Sequence, residues 1–528
     1  MSRRRLLARN TVLNAGGRVW DALSSLVLIR YAVDELGDGA FGVWVLVGAF
    51  TGYIALLDFG LASAYVKYNA EHWARDELDE LSSVLSTGTA FYCGVGLVLT
   101  ALVWPCAPIA VSFLGRWGLL GGIEAVDATF VLRWSVMLFG ATSAMAGFAA
   151  LLTGLQRMGL TNAIAFAASL VKLATAVALV EWGYGIRGLL FAHWAAFVTF
   201  AFGCAVAAFW IVPGLRVLPS RIRRATFRKL FGFGLRAQVA RLSNLVMFET
   251  DHVIAGFVTG NAGAVAFYSF GVNMANKLRQ VPTLVVSAML PAAADLDARA
   301  DEKRLQELYV RATKYLALAA VPATAVAIGC AGPLMRTWLG DREGLDTSIW
   351  VLRILGVGYL ANVMAGAGMS VALARGRADI QMCAGLIATG ANLVLTIGLV
   401  VWIGFWGIPL ATAISMFLSS GWFFRRMRLI AGVGAGHVLR ESLMWPALAV
   451  CPGLAFALWC DWFTMGASGF IANAAALSAG LAFLVSTYIG LIRFTPFFDA
   501  YDVEFMGDTL SMRRIPGFDL WSARARRV

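Results

Sequence analysis

Residues 161–211 read TNAIAFAASLVKLATAVALVEWGYGIRGLLFAHWAAFVTFAFGCAVAAFWI. Two apolar runs, 161–182 and 187–211, flank a short Trp-Gly-Tyr-Gly break, and the only charged residues are Lys172, Glu181 and Arg187. Each run has about the 20 residues that a helix needs to cross the hydrocarbon core of a bilayer. Outward from this stretch, similar segments recur near 11–33, 40–65, 82–105 and 129–153, and again near 233–258, 263–290, 308–331, 347–373, 379–402, 404–424, 441–461 and 469–492. The reading is an all-α integral membrane protein with fourteen transmembrane helices. Composition agrees: 59% of residues are hydrophobic, 14% are charged, and the mean hydropathy is +0.74. A soluble domain is about 25% charged, and a soluble chain this apolar would expose aggregation-prone patches.

The net charge of +12 raises the question of nucleic acid. Lys and Arg positions answer it. With the N-terminus in the cytoplasm, inside segments hold 31 of the 43 basic residues and outside segments hold four: Arg116, Arg187, Arg336 and Arg342. That asymmetry follows the positive-inside rule and accounts for the charge without a nucleic-acid partner. Both termini are expected in the cytoplasm. The N-terminal MSRRRLLARN leads into an apolar segment carrying Arg18, Asp21 and Arg30, which reads as a retained first helix rather than a cleaved signal. The inside linker 212–232, VPGLRVLPSRIRRATFRKLFG, mixes basic and apolar residues as an interfacial amphipathic helix does.

The seven cysteines lie in or beside apolar segments with no CxxC pair, which suits packing better than a disulfide framework. The four histidines are scattered, so no metal site is expected. No GxxxxGK[ST] motif is present, and neither a cofactor nor enzymatic activity is expected.

A weak ordered repeat runs through the chain. Arg18 and Asp21 match Arg241 and Asn244; AFGVW at 40–44 matches AFYSF at 266–270; VLR at 131–133 matches VLR at 351–353; Gly185-Ile186 matches Gly407-Ile408. Glu80-Leu81 matches Glu307-Leu308, and Arg157 and Arg375 begin equivalent inside loops. The implied organisation is an N-lobe at 1–211, the basic linker 212–232, a C-lobe at 233–424, two further helices at 441–492 and a basic cytoplasmic tail at 493–528. Each lobe starts and ends on the same side, as parallel repeats do.

The run Gly37–Tyr68, with Phe41-Gly42-Val43-Trp44 and Leu-Asp-Phe-Gly-Leu at 57–61, resembles the start of polysaccharide and oligosaccharide flippases. These O-antigen-type carriers belong to the multidrug/oligosaccharidyl-lipid/polysaccharide exporter superfamily. GLQR at 154–157, Thr250-Asp251 and Leu290-Pro291 fit the same pattern. The resemblance implies two pseudo-symmetric six-helix lobes around a V-shaped central cavity. It also implies alternating-access export of a polyprenyl-pyrophosphate-linked oligosaccharide for O-antigen, capsule or exopolysaccharide synthesis. The expected setting is the bacterial inner membrane. The expected partners are the lipid-linked oligosaccharide, membrane lipids and other polysaccharide-assembly proteins, with the carrier itself a monomer.

Such cargo brings an anion into hydrocarbon, and charges within transmembrane helices are candidates for meeting it. Asn14, Arg18 and Asp21 share one face of the first segment. Arg18 either captures phosphate, with Asp21 tuning it, or forms a structural pair with Asp21. Arg241, Asn244 and Asp251 cluster on one side of the seventh, with Glu249 elsewhere. Asn273, Asn276, Lys277 and Gln280 give the eighth a polar face, and Lys277 is the second phosphate-ligand candidate. Arg279 points to the inner rim. Lys172 sits mid-segment, too deep to snorkel easily. Asp58, Arg133 and Arg353 are gate or rim candidates; capping is the favoured reading of the first and interface anchoring that of the other two, with substrate release as their alternative. A cation-coupled drug exporter would want more buried carboxylates than cations. A glycan polymerase or glycosyltransferase, which Asp34-Glu35 brings to mind, would want a large outside domain.

Overall fold

The computed structural model describes residues 3–54, 60–286, 289–299, 301–465, 469–499 and 501–502. All regular secondary structure among them is helical. The chain divides into two compact units, Met1–Ser269 and Phe270–Val528. The first holds α1 (Arg3–Ile54), α2 (Leu61–Ala74), α3 (Leu78–Arg116), α4 (Ala125–Gly154), α5 (Met158–Leu179), α6 (Gly185–Ile211), α7 (Arg224–Thr259) and the start of α8 (Ala262–Val286). The second holds the rest of α8, then α9 (Met289–Ala298), α10 (Glu302–Gly329), α11 (Ala331–Leu339), α12 (Leu345–Met364), α13 (Gly366–Ala374), α14 (Ala378–Ile403), α15 (Gly407–Ala431), α16 (Ala435–Thr464) and α17 (Phe470–Ile492).

Nine helical stretches among the described residues are long and apolar enough to cross a membrane. Trp210, Val401 and Ile471 are 80%, 85% and 82% exposed on them. Water would penalise such surfaces and lipid solvates them. The protein is a multi-pass membrane protein.

The helix bounds repeat. Met158–Ile211 and Ala378–Ala431 are each 54 residues of nearly unbroken helix, offset by 220 positions, and Ala125–Gly154 matches Leu345–Ala374 at the same offset. The turn before each 54-residue stretch needs a left-handed residue. Gln156 (φ 60°) supplies it in the first copy and Gly376 (φ 70°) in the second. Arg157 therefore corresponds to Arg377 rather than to Arg375, and each is the residue preceding its helix. Gly37 (φ 82°) breaks α1 where Gly260 (φ 61°) ends α7. Only glycine adopts these conformations without cost. The expected boundary between segments 1 and 2 thus falls at Gly37, where two helices meet across a kink.

Packing relies on small residues. A Cβ built on Gly96 of α3 would stand 3.0 Å from the Gly140 Cα of α4, so the two helices meet backbone to backbone. In the first unit, buried Tyr65, Leu81, Leu85, Tyr92, Leu151 and Leu152 form the core between α2, α3 and α4.

Prolines inside the helices each remove an amide that would have bonded the carbonyl four residues earlier. Two of those carbonyls are satisfied by a side chain of another helix. Pro322 in α10 orphans the Leu318 carbonyl, which accepts the Tyr488 hydroxyl of α17 at 3.0 Å. Pro108 in α3 orphans the Trp104 carbonyl, which accepts Arg133 Nε of α4 at 2.9 Å.

Two peripheral segments differ from the sequence reading. The first part of the basic linker is not an amphipathic helix. Pro213, Gly214 and Pro219 prevent one, and residues 212–223 run extended around a short 3-10 turn at Pro219–Arg221 before α7 starts at Arg224. Hydroxyls at the start of α3 satisfy its amides: Arg216 N–H donates to Ser82 Oγ (3.2 Å), Leu218 N–H to Ser86 Oγ (3.1 Å) and Arg223 N–H to Thr87 Oγ1 (3.1 Å). Arg221 pairs with Asp79 at 2.5 Å and Arg223 with Glu80.

The start of the basic tail also folds back. Fully buried Asp502 accepts Arg311 Nη1 (3.0 Å), Lys314 Nζ (2.5 Å) and the Tyr315 hydroxyl (2.5 Å), all from α10. Asp499 takes Arg311 as well, at 2.9 Å, and Phe497 is buried beneath Lys314. The tail's first residues thus clamp the end of α17 to α10.

Replacing Tyr488 with Phe should cost about 1–3 kcal/mol, the range for an abandoned buried acceptor. Pro322→Ala restores the missing amide, so Tyr488→Phe should cost much less in that background. A double-mutant cycle of melting temperatures in detergent checks this; equal losses in both backgrounds would refute the pairing.

The clamp has a pH limit. Burial pulls Asp499 upward, but the Arg311 hydrogen bond and the Asp502 amide outweigh it and hold its carboxyl below the usual 3.8. A depressed carboxyl stabilises the fold above its unfolded pKa and loses that contribution as pH falls through the folded one. Hydrogen-exchange protection of residues 497–502 should persist at pH 5 and collapse only below about pH 3.8.

Candidate functional site

Polar groups of the first unit gather along α1, α5, α6 and α7. Trp20 Nε1 donates to Ser169 Oγ at 3.1 Å and its ring packs on Phe166, 4.7 Å away. Further along, the Tyr31 hydroxyl reaches the Val177 carbonyl and Glu181, both at 3.2 Å. Lys172 lies between these two levels of α5, half-buried, and interacts electrostatically with His193 of α6. His193 Nδ1 donates to the Leu189 carbonyl (2.9 Å), and its ring packs 5.0 Å from Trp44.

Asp251 of α7 is buried at 1% exposure and accepts the Tyr268 hydroxyl of α8 at 3.1 Å. Its neighbours on α7 face α1 instead. Thr250 Oγ1 lies 2.6 Å from the Tyr53 hydroxyl, and a side chain on Gly52 would collide with the Glu249 carboxyl. Asp251 is therefore bound into the α7–α8 contact, while Glu249 and Thr250 face α1. Asp21 is exposed on α1. Arg18, Arg241 and Asn244 stand on helices, but their side chains lie outside the described residues, as does Asp58 altogether.

In the second unit, Asn273, Asn276 and Lys277 of α8 are half-buried and Gln280 is exposed. No carboxylate among the described residues comes within ion-pairing distance of Lys277. Arg279 does not merely rim the helix end. Its guanidinium stacks over the Tyr359 ring (4.7 Å) and reaches Asn362 Oδ1 at 3.4 Å, in a shallow pocket lined by Ala275, Pro282, Ala323 and Gly356.

The repeat-related arginines do similar local work. Arg133 Nε caps the Trp104 carbonyl of α3 and stacks on that tryptophan's ring at 5.1 Å. Arg353 Nε donates to the Ile328 carbonyl at the end of α10 (3.1 Å) and stacks on Trp350 at 4.9 Å. Arg353 has a further partner, buried Asp461 of α16, which also takes Arg336 at 3.4 Å. Sequence reasoning ended an apolar segment at Asp461 and passed over it. A lone carboxylate flanked by apolar residues was the available signal.

Seventeen α-helices among the described residues, with matched long helices in both halves, define an all-helical multi-pass fold. Solved structures with that fold include the lipid II flippase MurJ in an inward closed conformation. Its TM-score is 0.64 at 13% identity, covering 92% of this chain and 99% of that one. An inward-facing multidrug-resistance MATE transporter of the MOP superfamily superposes with a TM-score of 0.63 at 14% identity, covering 80% and 98%. The chain belongs to the polysaccharide biosynthesis protein family, whose model matches residues 36–342. Similar curated proteins include a putative O-antigen transporter of Shigella flexneri, 23% identical over 80% of this chain and 98% of that protein. The probable flippase AglR of Haloferax volcanii is 22% identical over 78% of this chain and 82% of its own length.

Asp461→Asn leaves two half-buried guanidinium groups without their shared counter-charge, a loss of about 3–5 kcal/mol for a buried pair. The exposed Asp346, 3.9 Å from Arg336, makes the control. Asp461→Asn should lower the melting temperature in detergent clearly more than Asp346→Asn, and similar shifts would refute the anchoring role.

Proposed function

We propose that this protein is a flippase that carries a polyprenyl-pyrophosphate-linked oligosaccharide across the bacterial inner membrane by alternating access. Membership of the polysaccharide biosynthesis family supports the reading, as do relatives named as an O-antigen transporter and a probable flippase. The single structural observation carrying it is Lys277, a half-buried cation on α8 with no carboxylate partner among the described residues. An embedded ammonium without a counter-ion is costly, and a pyrophosphate passing beside it supplies one.

In this reading fourteen spans form two six-span lobes, 1–211 and 233–424, with the spans of 441–492 appended and both termini cytoplasmic. α1 counts as two spans divided at Gly37, the second continuing into α2. α8 with α9 and α12 with α13 count as single interrupted spans. The same reading assigns Arg18, Lys172, Arg241 and Lys277 to neutralising the pyrophosphate in a central V-shaped cavity, with Asp21, Asn244 and Asn273 tuning the site or binding sugar. Asp58 acts at the inner gate. The lipid tail stays in the bilayer, and the lobes rock outward without a cofactor.

Lys277→Ala and Arg18→Ala should each reduce transfer of a lipid-linked oligosaccharide in proteoliposomes by roughly tenfold or more, one uncompensated charge contact being worth about 1.4 kcal/mol or above. Lys277→Arg should keep most of the activity. Normal transfer by both alanine variants would overturn the assignment, and drug resistance without glycan transfer would point to a drug exporter.

A further inference from the structure

The linker between α6 and α7 offers a surface that the transport reading does not use. Its extended part alternates. Leu215 and Val217 pack into or against the core of the first unit, and Arg221 turns to Asp79. Arg216, Leu218, Ser220 and Ile222 stand exposed on the opposite side, Leu218 and Ile222 at 46% and 47%. Residues 215–218 show the two-residue period of an extended chain with one face against protein, before the 3-10 turn at Pro219–Arg221. The first turns of α7 continue the exposed edge with Arg224, Arg228 and Lys229.

The cations of this region fall into two sets. Arg221 and Arg223 have carboxylate partners on α3. Arg216, Arg224, Arg228 and Lys229 have none among the described residues. The hydroxyls of Ser82, Ser86 and Thr87 hold the backbone in place, so the four cations and two apolar side chains are presented together. Just before the linker, Trp210 is 80% exposed at the end of a membrane-spanning helix, the position of an interfacial tryptophan. The charge asymmetry of the chain puts this end at the cytoplasmic leaflet.

We propose that this edge is a docking surface for anionic phospholipid headgroups of the cytoplasmic leaflet. Arg216, Arg224, Arg228 and Lys229 meet the phosphates, and Leu218 and Ile222 insert among the headgroups. Clustered basic residues beside a membrane segment attract anionic lipid, and apolar side chains between them add burial at the headgroup boundary. The surface is independent of cargo transport and stands if the transport reading fails.

The test is lipid retention by the full-length protein in detergent, read by native mass spectrometry with added phosphatidylglycerol or phosphatidylcholine. A variant with Arg216, Arg224, Arg228 and Lys229 all changed to Gln is compared with one in which Arg425, Arg426, Arg428 and Arg440, exposed at another basic end, become Gln. The linker variant should bind phosphatidylglycerol at least about tenfold more weakly, the control should lose under threefold, and phosphatidylcholine retention should not change. Equal losses in the two variants would reduce the effect to net charge and overturn the proposal, as would no loss in the linker variant. A Leu218→Ser/Ile222→Ser variant, which leaves every charge in place, provides a second arm. It should also lose phosphatidylglycerol, and unchanged retention would overturn the insertion. Should the four-fold variant not fold, this arm decides alone.

Discussion

A backbone carbonyl inside a membrane has no water to fall back on. Each one left without a donor costs several kcal/mol, and this chain places prolines within its long helices. The structure answers by lending side chains. Tyr488 supplies the hydrogen bond that Pro322 withholds from Leu318, and Arg133 supplies the one that Pro108 withholds from Trp104. Both donors come from another helix of the same unit, so repairing a local defect also ties helices together. The same economy recurs where Arg353 meets the Ile328 carbonyl at the end of α10. In hydrocarbon, hydrogen-bond satisfaction and tertiary packing are largely one problem.

Charge follows a related logic. Buried carboxylates sit where a cation or hydroxyl from elsewhere in the fold meets them: Asp461 with Arg336 and Arg353, Asp502 with Arg311 and Lys314, Asp251 with Tyr268. Lys277 differs from these groups: no carboxylate among the described residues pairs with it.

Much of this architecture was readable from the chain, and the reasons are physical. Apolar runs as long as the bilayer is thick announced the membrane helices, and the VLR arginines marked the repeat that the helix bounds display at an offset of 220. Pairing Arg157 with Arg375 missed by two positions, because the left-handed turn residue is a glutamine in one copy and a glycine in the other. The clamp and the linker were illegible for a different reason. Asp502 finds its partners 188 and 191 residues away, and the serines that hold the linker lie 132 and 134 residues before it. No local pattern reports such distances. Most polar candidates were picked by helical spacing, which distinguishes faces but not what those faces touch; the partners of Asp251 and Arg353 lie on other helices.

The added pair α16–α17 is fastened to α10 at three heights: by Asp461 through Arg353 beside the Ile328 carbonyl, by Tyr488 in the middle, and by Asp502 on Arg311 and Lys314. A rod pinned at several points along its length cannot swing on its own. A spectroscopic label on α17 would therefore report the displacement of α10 and the helices packed on it, from a face that carries none of the candidate cargo residues.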